Sequence, residues 1–72
     1  MLNPLTDEQR AAIEKEIDVL RQEHRDLDVA IAALQSVGAP AQLQLQRLKK
    51  RKLVLRDRVS FLDDQLTPDI IA

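Results

Sequence analysis

LQRLKKRKLVLRDRVSFLDDQL, residues 45–66, decides how this chain folds. Leu45, Leu48, Leu55, Val59, Leu62 and Leu66 recur at alternating steps of three and four, and Lys52 holds the one seam position that is not apolar. That spacing keeps a single stripe of a helix apolar along its whole length. It is the coiled-coil pattern, and such a stripe needs a partner helix.

The partner lies upstream. Ile13, Ile17, Leu20, His24, Leu27, Ile31 and Leu34 repeat with the same alternation. In the heptad abcdefg, Ile17, His24 and Ile31 take a, while Ile13, Leu20, Leu27 and Leu34 take d. In the second run Leu45, Lys52, Val59 and Leu66 take a, and Leu48, Leu55 and Leu62 take d. Each seam therefore carries one polar residue near its middle, His24 in the first and Lys52 in the second.

Between the runs stands Ser-Val-Gly-Ala-Pro, residues 36–40. Gly38, the only glycine, suits the left-handed position just past a helix end. Pro40 suits the first turn of the next helix. A Gly-x-Pro break with so short a connection predicts two antiparallel neighbours rather than one rod. The seams also align across it. With Leu34 facing Leu45, Ile31 meets Leu48, Leu27 meets Lys52, His24 meets Leu55, Leu20 meets Val59 and Ile17 meets Leu62. His24 and Lys52 then lie in adjacent layers, where polar residues fix register at some cost in stability. The expectation is an all-α antiparallel two-helix hairpin of coiled-coil type, with helices over residues 6–36 and 40–66.

The ends follow from local signals. Thr6 and Gln9 match a capping box, and Asp7 and Glu8 stand in the first turn, where the helix dipole favours negative charge. Pro68 stops the second helix at or before Thr67. A single domain over residues 1–72 is expected, with short flexible ends at 1–5 and 67–72. Ile70 and Ile71 are expected to pack back near Leu2 and Leu5, or else to serve as an apolar tag for a partner.

Apolar surface exceeds what one seam buries. Residues 29–34 are apolar right around the helix, Leu53, Val54 and Leu55 span more than one stripe, and Phe61 lies two turns beyond Val54 on the same outer face. A helix apolar beyond one seam is ordinarily covered by a further element. With 72 residues in hand, a second copy is the expected cover, so a homo-oligomer of hairpins is predicted.

Charge supports the pairing. Residues 7–28 hold eight acidic against four basic side chains, and residues 41–66 hold seven basic against three acidic. Asp28 is expected near Lys49 and Glu23 near Arg58, with unfavourable neighbours at Arg21 and Arg56 and at Glu14 and Asp63. Exposed pairs contribute under about 1 kcal/mol each, so the mismatches decide nothing.

Composition argues against most chemistries. There is no cysteine for a disulfide framework or a thiolate zinc site. One Phe, with no Tyr or Trp, leaves no stacking platform for single strands. No apolar run approaches the roughly 20 residues that cross a bilayer, and no export signal is visible, so no membrane partner is expected and the cytoplasm is. His24, the only histidine, lacks a second strong ligand one turn away and reads as a seam residue. Neither a cofactor nor enzymatic activity is expected, because a two-helix hairpin has no cleft to desolvate a reacting group.

The sharpest charge feature is Lys49-Lys50-Arg51-Lys52, a phosphate patch or a solvated face. Candidate partner contacts are Lys49, Lys50, Arg51, Val54, Phe61, Ile70 and Ile71, with His24 and Lys52 as the polar seam layer. The expected role is a protein–protein interaction or structural accessory module, open to a further protein partner. The alternative is a nucleic-acid-associated accessory protein using the basic face of the second helix, although nucleic acid is not the expected partner.

Glu23-His24-Arg25-Asp26-Leu27-Asp28, followed by residues 48–57 as LKKRKLVLRD, resembles the YdcH-like family of short bacterial proteins. The Leu-Lys-Lys-x-Lys-Leu-x-Leu-basic-Asp run is the most specific part of the likeness. Arg56 departs from it by standing where lysine is more frequent. The resemblance implies a bacterial cytoplasmic protein and a helical hairpin. It implies no activity, because the family is classed as a domain of unknown function.

Overall fold

The structure is a computed structural model and describes residues 5–66. Helix α1 spans Asp7–Gln35 and helix α2 spans Gln42–Leu66, joined through a 3-10 turn at Ala39–Ala41. The two long helices pack against each other as an antiparallel hairpin, as the seam pattern predicts. The 3-10 turn takes up the first residues of the predicted second helix.

The start of α1 follows its sequence signal. Thr6 Oγ1 accepts from the Gln9 backbone N–H at 3.0 Å, and Gln9 Oε1 accepts from the Thr6 backbone N–H at 3.0 Å. Two amides that the helix leaves without partners are thereby satisfied. At the other end the Ser36 hydroxyl donates to the Ala33 carbonyl at 2.7 Å, and Val37 N–H donates to the Leu34 carbonyl at 3.0 Å.

Gly38 differs from its expected conformation in detail. Its φ of 88° is positive, as expected, but its ψ of −145° is extended rather than left-handed helical. That region is essentially closed to residues with a Cβ. The chain thus turns through an extended glycine, whose carbonyl then accepts from Ala41 N–H at 3.0 Å to start the 3-10 turn.

Every predicted seam position is buried or half-buried. Ile17, Ile31, Leu45, Leu55 and Leu62 form the buried centre, and Ala41 closes it beneath the turn. Leu55 is the most enclosed, 2% exposed. No polar side chain is fully buried among the described residues. Instead His24 and Lys52 lean to the edge of the seam, their stems in the interface and their polar ends toward water. The result is slender, with extents of 51 × 25 × 16 Å. Its radius of gyration is 16.4 Å, where a compact domain of this length has about 11 Å.

Ion pairs across the seam record the register. Glu16 meets Arg58 at 3.1 Å and Glu23 meets Arg51 at 3.0 Å, all four at g positions on one flank. Arg21 meets Asp63 at 3.2 Å, both at e positions on the other flank. At the open end Arg10 Nη1 donates to the Leu66 carbonyl at 3.3 Å. The two sets bracket the predicted seam layers from either side.

These pairings correct the expected ones. Asp28 pairs with Lys52 rather than Lys49, and Glu23 with Arg51 rather than Arg58. Arg21 finds Asp63 instead of lying against Arg56. Moving around a helix away from its seam also moves along its axis. In two antiparallel helices those displacements add, so flanking partners are offset from the seam layers in opposite senses on the two flanks.

Candidate functional site

The hairpin presents two flanks of different character. The first is built from g and c positions of both helices. It carries Val19, Val54 and Phe61, each at least half exposed, with the Glu16–Arg58 and Glu23–Arg51 pairs between the helices. Arg58 does two things there. Its guanidinium is held by Glu16 and lies 5.3 Å from the centre of the Phe61 ring. A cation over an aromatic face is attracted by the ring's quadrupole, which fixes the orientation of Phe61. The two central ion pairs cancel on this flank, while Asp26, also at a c position, accepts from the Gln22 side-chain amide and has no cation within ion-pair distance among the described residues.

The second flank is built from a, e and b positions. In its turn-proximal half lies an open groove of about 380 Å³, lined by His24, Ile31, Gln35, Lys49, Lys52, Leu53 and Arg56. Lys49, Lys52 and Arg56 recur at steps of three and four on α2, which puts all three on one side of that helix. His24, Ile31 and Gln35 face them from α1. Ile31 and Leu53 supply the apolar floor, Ile31 buried and Leu53 47% exposed.

The charges in the groove are unevenly matched. Asp28 sits at its margin, bonded to Lys52 and 3.7 Å from His24 Nδ1. The hydrogen bond from Lys52 holds the Asp28 carboxyl below the usual carboxylate range; desolvation opposes it, and the charges of Lys52 and His24 add to it. Among the described residues Arg56 reaches only its sequence neighbour Asp57, at 3.5 Å, with both side chains about two-thirds exposed. Lys49 has no carboxylate within ion-pair distance among the described residues.

The basic run is therefore divided by the helix. Lys49 and Lys52 line the groove, Lys50 is exposed, and Arg51 is held by Glu23 on the opposite flank. Val54 and Phe61 share a flank as their spacing requires. His24 and Lys52 meet through Asp28, a residue that reading each seam alone does not single out. Arg56 and Leu53 also belong to the groove, and the spacing of Lys49, Lys52 and Arg56 was the signal for it. Ile70 and Ile71 lie outside the described residues, as does Leu2. A second recess near the turn is lined by Leu34, Gln44, Arg47 and Leu48.

Among the described residues no helix is long and apolar enough to cross a membrane. Nothing among curated proteins or solved structures matches the chain. The family described as "Protein of unknown function (DUF465)" matches residues 17–62, a span bounded by two buried seam residues, Ile17 and Leu62. This is the YdcH-like family resembled by the His24 and Lys49–Lys52 segments, and the chain belongs to it.

Proposed function

We propose that this protein is a non-catalytic interaction module in which a second copy covers the flank bearing Val19, Val54 and Phe61. The observation that carries the reading is that flank itself, apolar at Val54 and Phe61 and neutral between them because Glu16 and Glu23 match Arg58 and Arg51. Two such surfaces meet with the charges of both central ion pairs already cancelled.

The amount of exposed surface supports the same reading. The chain exposes 5929 Å². A compact monomer of its 8.2 kDa mass exposes about 4,500 Å². The difference exceeds the roughly 800 Å² that each partner contributes to a stable interface. Six buried residues among the described ones are also a small core for an independent fold, and small scaffolds without disulfides commonly gain stability by associating.

The charge arrangement favours a protein partner over nucleic acid, since Arg51 and Arg58 are engaged by carboxylates and α1 is acidic. A bacterial cytoplasmic setting, implied by the resemblance, belongs to the same reading.

Light scattering at micromolar concentration tests it. Wild type is expected at no less than twice the monomer mass, and Val54→Glu with Phe61→Glu is expected at the monomer mass with helix content retained. A fully helical wild-type monomer would overturn the proposal.

A further inference from the structure

The groove on the opposite flank lies outside the surface proposed for self-association. Two copies meeting there would bring Lys49, Lys52 and Arg56 of each against those of the other. Like charges so placed are unfavourable, and the groove is left free in a dimer formed through Val54 and Phe61.

We propose that this groove docks an acidic segment of a partner protein, one that presents an apolar side chain beside its carboxylates. The inference rests on reading the hairpin as an interaction module, but it concerns a separate surface and does not require self-association.

Three features of the groove select that occupant. The first is charge: Lys49 has no acidic partner among the described residues, and Arg56 has only a loose contact with its neighbour Asp57. Both cations can accept a carboxylate without breaking an internal pair that matters to the fold. The second is the floor. Leu53 is 47% exposed between those cations, so an occupant gains by covering it, and a bare phosphate backbone does not. The third is extent. Lys49 to Arg56 spans about 10 Å of helix, room for two or three charges at helical spacing. Tight nucleic-acid binding neutralises about six to ten phosphates along a continuous basic track. Here the track is short, and Asp28 stands at its margin.

Lys52 has a different part. Bonded to Asp28, it is held at the groove's edge, and Asp28 also lies beside His24. An incoming carboxylate competes with Asp28 for Lys52. Asp28 therefore acts as an internal stand-in for the ligand and lowers its affinity.

The test uses the full chain labelled with 15N and a synthetic helix-forming peptide carrying glutamates one turn either side of a leucine. Saturable amide shifts are expected at His24, Ile31, Gln35, Lys49, Lys52, Leu53 and Arg56. The same peptide with glutamine in place of glutamate should leave them unmoved. Lys49→Gln with Arg56→Gln should weaken binding about tenfold, the effect of two exposed ion pairs, while circular dichroism shows unchanged helix. Asp28→Asn should tighten it. Val54→Glu with Phe61→Glu should leave binding intact even as the assembly dissociates, which separates this proposal from the one above.

No saturable shift up to about 1 mM peptide would overturn it. So would equal binding of the glutamine peptide, or shifts confined to the other flank. Tighter binding of duplex DNA than of the acidic peptide at physiological salt, lost in the Lys49→Gln and Arg56→Gln variant, would assign the groove to phosphate instead.

Discussion

The two flanks of this hairpin are made from the same two helices, yet they are finished differently. On the Phe61 flank every central cation has a carboxylate from the opposite helix, at 3.0 to 3.1 Å. On the groove flank Lys52 shares Asp28 with His24, and Lys49 and Arg56 gain no carboxylate from α1. The heptad places g residues on one side and e residues on the other. Helix α1 offers Glu16 and Glu23 at g, but at e it has Glu14, Arg21, Asp28 and Gln35, and of the two carboxylates among these only Asp28 reaches the groove. The seam accounts for the fold alone. The two flanks it leaves outside differ in how completely their charges cancel.

The largest expected effect removes the comparison altogether. Leu55 is the most enclosed side chain among the described residues, so Leu55→Ala should destabilise the hairpin by about 2 to 5 kcal/mol. Both flanks should fail together in thermal denaturation and in peptide binding. A loss confined to one flank would mean that the two are not carried by a common core.

Gly38 is next. A Cβ there meets no atom, so space is not the obstacle, but the backbone stands at a φ of 88°. Gly38→Ala should destabilise by about 1 to 3 kcal/mol from strain alone, measured by urea denaturation with an unchanged m value. A neutral result would mean that the turn relaxes to another conformation and that the ion pairs, rather than the turn, hold the register.

Much of this arrangement is legible in the sequence, and the part that is not has a physical cause. The seams of Ile17–Ile31 and Leu45–Leu62, the capping box at Thr6 and Gln9, and the break at Gly38 are local or periodic signals that adjacent residues carry themselves. The flank pairings are not local. Asp28 and Lys49 share the e position, which invites pairing them, and the offset between flanking residues that gives Asp28 to Lys52 instead emerges only from two helices in three dimensions. The groove suffers similarly. Reading along the chain groups Lys49, Lys50 and Arg51 as neighbours, whereas the helix groups Lys49, Lys52 and Arg56 and adds His24 from the other strand of the hairpin.

A pH titration sharpens the contrast between the flanks. The Asp28 carboxyl is held below its ordinary value in the folded chain. A carboxylate with a lowered folded pKa contributes stability that is fully present above its unfolded value of about 3.9 and is lost as pH falls through the lowered one. Denaturant unfolding should therefore show an Asp28 contribution that is flat from pH 7 to about pH 5 and declines below pH 4. Asp28→Asn should remove that decline. An unchanged acid limb in the variant would mean that the Lys52 bond does not persist in solution.

The smallest effect is expected at the exposed pairs. A double-mutant cycle on Glu23 and Arg51, each replaced by glutamine, should return a coupling under about 1 kcal/mol, reduced further by salt. A much larger coupling would make the Phe61 flank a source of fold stability rather than a neutral surface.

Leu53 and Val54 give the most direct test of the account. They are adjacent, similarly apolar and almost equally exposed, at 47% and 50%, and differ chiefly in the flank they face. Sedimentation equilibrium of Leu53→Glu and of Val54→Glu, each as a single substitution in the full chain, compares the flanks with nothing else changed. Val54→Glu is expected to lower the assembled mass toward 8.2 kDa while Leu53→Glu leaves it as in wild type. Equal loss in both variants, or loss in Leu53→Glu alone, would contradict it.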